Sequence, residues 1–265
     1  MTSTSASELS NERVFLAVTA LLFIASAVGT ISWCSSMSGG MPMPGGWTMS
    51  MTWMKMRGQT WAGAAASFMA MWTLMMLAMM LPSFVPMLLS YRTCMRATSE
   101  NRLGALTSLC GAAYFFVWAM FGAVAYALGL ILASAEMHWS ALARSVPIIA
   151  GFVLLLAGCI QLSPWKARQL GRCRLAPACV GALPERARNA WQHGVRLGVR
   201  CALCCSGFMI ILLVVGAMNL AAMAILAAAI TIERIAPRPA IAARAAGAVA
   251  IVVGVVATAR ALRVG

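Results

Sequence analysis

The stretch richest in reactive side chains is Cys201-Ala-Leu-Cys204-Cys205, with three thiols in five residues. In a helix, positions i, i+3 and i+4 share one face, so these sulfurs are expected to converge. The thiolate is the form that ligates metal. Arg196, Arg200 and the N-terminus of a helix predicted to open at Cys201 would all favour it. Two or three thiolates suit Cu(I), and a fourth ligand from Cys159, Cys173 or Cys179 would make a zinc site.

A second sulfur chemistry lies upstream. Between Met37 and Met56, seven thioethers fall in twenty residues broken by Gly, Pro and Ser, with Met41, Met43, Met49 and Met51 at its centre. No amphipathic helix can be drawn through this segment, so its methionines have little to pack against. A thioether carries no proton to lose and binds soft monovalent Cu(I). Further on, Met71, Met75 and Met79 repeat every four residues, and Met69, Met76, Met80 and Met87 form a second stripe. Such stripes either relay a soft ion or fill gaps between helices, as methionine commonly does. Pro82 removes a backbone donor in that helix and is expected to kink it.

The rest of the composition narrows the function. The 265 residues are 62% hydrophobic and 10% charged, with a mean hydropathy of +0.86. A soluble domain carries about 25% charged residues, so the chain is expected to be an integral membrane protein. It holds six Glu and no Asp. A phosphorylated aspartate is thereby excluded, and carboxylate-rich calcium or two-metal sites are not to be expected. With only His138 and His193, a tri-histidine site within the chain is excluded as well. No catalytic constellation stands out, and an enzyme is the less favoured class.

A helix needs roughly 20 apolar residues to cross a bilayer. Six stretches qualify, near 14–33, 61–90, 104–133, 146–162, 201–231 and 240–259. The fold class is therefore all-α: a polytopic membrane protein of about six transmembrane helices, forming one membrane domain over residues 1–265. An Ala25-x-Ala27 pattern in the first span resembles a signal-peptide cleavage site. The leader's Glu8 and Glu12 against one Arg13 favour an uncleaved anchor instead.

Six spans put both termini on one side, and fourteen of the 20 Lys and Arg fall on that side against six on the other. The positive-inside rule then makes both termini cytoplasmic, in a bacterial inner membrane. Residues 1–13 become a cytoplasmic tail, 34–60 a Met-rich outer loop and 163–200 a basic, Cys-containing cytoplasmic loop. The +14 net charge is read as topology signal and contact with lipid rather than nucleic-acid binding. Eight cysteines lie on the cytoplasmic side, where thiols stay reduced, and Cys34 alone at the outer face. Asn219, deep in the fifth span, is expected to hydrogen-bond across helices or to line a path. Glu233 with Arg234 is expected as an interfacial ion pair. His138 is a minor candidate ligand at the outer end, and His193 could approach Cys201 from the cytoplasmic loop.

Two blocks of the sequence resemble an uncharacterised bacterial family of predicted metal-binding integral membrane proteins. One runs Trp72-Thr-Leu-Met75-Met76-Leu-Ala78-Met79-Met80-Leu81-Pro82. The other runs from Gly194 through Cys201, Cys204 and Cys205 to Gly216-Ala217-Met218-Asn219 and on to Glu233-Arg234. A weaker link is Gln161-Leu-Ser-Pro164-Trp-Lys166 followed by Cys173. The resemblance implies metal binding without naming the metal. It would place a further Cys where this chain has Gln169, and an aromatic residue where it has Ser206.

The leading expectation is an inner-membrane protein that binds or moves Cu(I). The Met loop would capture it, Met75, Met76, Met79 and Met80 would relay it, and Cys201, Cys204 and Cys205, with Cys173, would receive it. Zinc is the alternative metal. The competing class is an accessory or assembly subunit of a membrane metalloenzyme complex, working with a membrane-protein or metal-chaperone partner. A thiol-redox enzyme is disfavoured, because no Cys-x-x-Cys sits in a βαβ setting.

Overall fold

The computed structural model describes residues 2–36, 40–43, 47–50, 53, 58–96, 102–174 and 186–264. In chain order the elements are α1 (Thr2–Ser36), β1 (Gly40–Met43), β2 (Trp47–Ser50), α2 (Trp61–Arg96), α3 (Leu103–His138), α4 (Ser140–Leu162), α5 (Pro164–Arg174), α6 (Ala187–Val215), α7 (Leu220–Ile235) and α8 (Pro239–Val264). Among the described residues, six segments are long and apolar enough to cross a membrane: Asn11–Ser36, Trp61–Met95, Leu103–His138, Ser140–Leu162, Ala187–Val215 and Pro239–Arg263. The helical fold class and the number of spans follow the sequence.

The part of the Met-rich segment that is described departs from an irregular loop. β1 and β2 pair antiparallel, with Met41 opposite Met49 and Met43 opposite Trp47. The Trp47 indole anchors this hairpin by donating to the Ala143 carbonyl at the start of α4, 2.9 Å away. Met51 lies outside the described residues.

Side-chain contacts fix the direction of each helix. Arg92 near the end of α2 reaches the Asn11 carbonyl and the Phe15 ring, so α1 and α2 are antiparallel. Trp72 donates to the Trp118 carbonyl, while Phe84 stacks on Tyr114 at 4.0 Å, so α3 reverses again. α6 runs parallel to α3: a Cβ on Gly198 would lie 2.9 Å from Val117, and Gly194 faces Cys110.

The fifth apolar stretch is where the expectation fails. It is not one helix over 201–231. α6 begins at Ala187 and stops at Gly216, whose φ of 112° suits only glycine. Asn219 then caps α7, its Oδ1 accepting from the Ala222 amide at 3.0 Å. Asn219 is thus exposed in a turn and satisfies a helix end; it is not an amide buried within a span. α7, 16 residues and about 24 Å long, turns back toward the level from which α6 came.

That reversal flips α8. A Cβ on Gly158 would lie 2.9 Å from the Gly247 carbonyl, and Gly254 stands equally close to Leu155. Gly151 meets Thr258 in the same way. α8 therefore runs antiparallel to α4 on a glycine-lined seam that admits no side chain. Residues 11 and 263 consequently lie at opposite ends of the bundle, which corrects the expectation that both termini share a side. With α7 as a return, Arg234, Arg238 and Arg244 join the end that holds Arg13, while Arg260 and Arg263 leave it. Among the described residues, fifteen basic ones then follow the Arg13 end and three the other.

Candidate functional site

The half-helix α7 brings its last turn against α6, and a cluster of sulfur and charge results. Cys201, Cys204 and Cys205 are all buried, as are Lys166, Glu233 and Arg234. Cys201 sits about four turns inside α6, so the helix N-terminus is too far away to act on it. Arg196 and Arg200 are exposed, and the cation at the sulfurs is Arg234 instead. Its Nη2 donates to Cys201 Sγ at 2.7 Å and lies 3.8 Å from Cys205 Sγ. Its Nη1 reaches the Ser83 carbonyl at 3.5 Å and Met87 Sδ at 3.7 Å. The Tyr114 hydroxyl gives Cys201 Sγ a second donor at 2.9 Å.

The acidic residue is occupied separately. Glu233 Oε2 pairs with Lys166 Nζ at 2.8 Å, and its Oε1 accepts from the Gln161 amide. Lys166 also donates to the Cys204 carbonyl at 2.7 Å and sits over the Phe208 ring. The expected interfacial Glu233–Arg234 pair is therefore replaced by two buried partnerships, one ionic and one with sulfur.

α5 explains how Lys166 gets there. Lys166, Gln169, Leu170 and Cys173 are buried, and their i, i+3, i+4, i+7 spacing forms one face of a short helix laid on α6. Cys173 Sγ lies 3.1 Å from the Arg200 carbonyl. A hydrogen bond with Cys204 holds the Cys173 thiol below its ordinary range, against burial and with help from Arg234. A cysteine in place of Gln169 would fall on this same buried face.

Within this cluster, Cys201 Sγ and Cys205 Sγ stand 4.0 Å apart. Two sulfurs at roughly 2.3 Å from one ion would subtend an angle near 120° at that separation. Among the described residues, no three His, Cys, Asp or Glu side chains form a group that could hold a metal ion. The four cysteines read from the sequence do come together, but only as a pair with two neighbours. Cys179 lies outside the described residues. Cys94 is disulfide-bonded rather than free, which corrects its place among the reduced thiols. His193 stacks on Tyr91 at 5.1 Å, and His138 is exposed with Nδ1 against the Ser134 carbonyl.

The methionines of α2 face inward. Met75, Met76, Met79 and Met80 are each at most 2% exposed and share the core with the cysteines. Met79 and Met80 lie one turn from Ser83, which Arg234 touches. α2 is helical through both Pro82 and Pro86. At the far end of the bundle, Cys34 Sγ meets Met218 Sδ at 3.7 Å. The hairpin methionines are at that end too and are not brought to the cysteines.

A family model described as a copper chaperone, PpoB2, matches residues 69–257. The chain belongs to this copper chaperone family. The matched region includes α2's methionines, the α5–α6–α7 cluster and the glycine seam of α4 and α8, so the whole site lies within the copper chaperone match. No curated protein and no solved structure matches the chain.

Sequence reasoning missed Tyr114, named Gln161 and Met87 without these contacts, and misassigned Arg234. Tyr114 carries no local signal, because its role depends on which helices meet. Glu233-Arg234 did carry one: an acidic–basic dipeptide closing an apolar run, preceded by a Gly216…Asn219 stop-and-start signature.

Proposed function

We propose that this copper chaperone family member is a multi-pass protein of the bacterial inner membrane that binds Cu(I) as cargo at Cys201 and Cys205. Residues 1–265 form one membrane domain, with the Arg13 end of the bundle cytoplasmic and the hairpin end outside. The fifteen-to-three division of basic residues among the described residues supports that orientation. The basic residues then meet lipid headgroups rather than nucleic acid.

The observation that carries the reading is the buried thiol pair, 4.0 Å apart and supplied with two donors at Cys201. Soft thiolates select Cu(I), and binding replaces two S–H bonds by two metal–sulfur bonds, releasing two protons. Cys204 and Cys173 stand beside the pair as exchange partners. Met41, Met43, Met49 and Met51 collect the ion outside. Met75, Met76, Met79 and Met80 pass it inward between neutral sulfurs that need no deprotonation.

The test is elemental analysis of protein purified after growth in copper. Wild type should carry copper, and the C201S/C205S double variant should lose most of it; equal copper in both would refute the site. The family description favours a chaperone that hands copper to a membrane-protein or metal-chaperone partner over a self-sufficient transporter. Copper flux into vesicles by the isolated protein would reverse that preference.

A further inference from the structure

We infer that Arg234 makes the Cys201/Cys205 pair selective for a monovalent soft ion by supplying the single positive charge that a two-thiolate complex of such an ion leaves unbalanced. The inference rests on the sulfur-site reading above and adds a selectivity mechanism to it.

The argument is a charge count in a place where charge is expensive. Arg234 is held over the sulfurs from three helices. It sits on α7, touches Cys201 and Cys205 of α6, and reaches Ser83 and Met87 of α2. Its Nε is buried and has no hydrogen-bond partner. The neighbouring Glu233 cannot cancel it, because that carboxylate is already engaged by Lys166 and Gln161. Lys166 and Glu233 together sum to zero. The charge left facing the thiols is therefore one positive unit.

Two thiolates and a monovalent ion carry a net charge of −1, which Arg234 brings to zero. Two thiolates and a divalent ion are neutral, like the two thiols they replace, so Arg234 stays the uncancelled buried cation it is in the metal-free site and lends the divalent ion no stabilisation. A third thiolate would rescue the divalent ion. Among the described residues, however, no group of three such ligands forms. Each ion displaces the same two thiol protons, so the difference comes from the metal's charge alone. Tyr114 donates to Cys201 in either case and does not discriminate.

The experiment titrates full-length protein in detergent with Ag(I), a redox-inert monovalent soft ion, and with Cd(II), a divalent one. Affinities are referenced to a free dithiol competitor to remove intrinsic thiophilicity. Wild type should favour Ag(I) beyond the competitor's own preference. R234Q should weaken Ag(I) and leave Cd(II) nearly unchanged, lowering the ratio on the order of 100-fold, as one charge a few ångströms away implies at protein-like permittivity. R234K should retain the wild-type order. Loss of structure would weaken both ions together, so a loss confined to Ag(I) is the signature of the charge. Equal shifts in R234Q, or a wild type that shows no Ag(I) preference over the competitor, would overturn the inference. If C201S/C205S binds Ag(I) as wild type does, the sulfur-site reading itself fails and the inference with it.

Discussion

Replacing Glu233 by Gln would leave the Lys166 ammonium without its counter-charge in one of the most enclosed places in the molecule. Lys166 is 1% exposed and Glu233 2%, with nitrogen and oxygen 2.8 Å apart. Breaking a buried pair by removing one partner costs about 3–5 kcal/mol, whereas replacing both by apolar groups is often neutral or better. E233Q should therefore lower the melting midpoint in detergent by on the order of 10 °C. K166M/E233L should recover most of the loss. The same cycle tests the return of α7. Were 201–231 one continuous helix, Glu233 would stand about 43 Å from Cys204 along its axis, far from Lys166 and Gln161. Additive effects of K166M and E233L, each under about 1 kcal/mol, would refute both the pair and the reversal.

The glycine seam should be intolerant: G158L drives a side chain into the Gly247 backbone and should cost several kcal/mol, while G171A, in open space, should leave the melting curve within about 1 °C of wild type or slightly raised. Replacing Met75, Met76, Met79 and Met80 together by Leu keeps volume and should cost little stability per site, yet it should cut the rate at which externally added Ag(I) reaches Cys201 and Cys205. Impermeant labels on cysteines introduced at positions 13 and 263 of a background with no other reactive thiol should modify only one of the two in intact cells; labelling of both or neither would contradict the antiparallel α4–α8 arrangement.

Much of this was legible in the sequence. Long apolar runs become helices because no other backbone arrangement satisfies its hydrogen bonds in an apolar surrounding, so the count of six spans needed only composition. The convergence of Cys201 with Cys205 followed from helical spacing. The turn at 216–219 was harder, because Ala217 and Met218 are apolar and the run from 201 to 231 exceeds a span without a charge to mark a break. Only the pairing of a glycine with a capping asparagine signalled the reversal. Everything that depends on that reversal was hidden with it: the position of Arg234 on the sulfurs, the partnership of Glu233 with Lys166, and the direction of α8. Tyr114 lies 87 residues from Cys201, and no local pattern announces such a contact.

X-ray absorption at the copper edge, on the copper-loaded full-length protein, most directly tests the claim that buried sulfur holds the ion. The account predicts Cu(I) in a low-coordinate shell of sulfur alone, lost in C201S/C205S. A shell dominated by nitrogen or oxygen, or a sulfur shell that survives the double substitution, would contradict it.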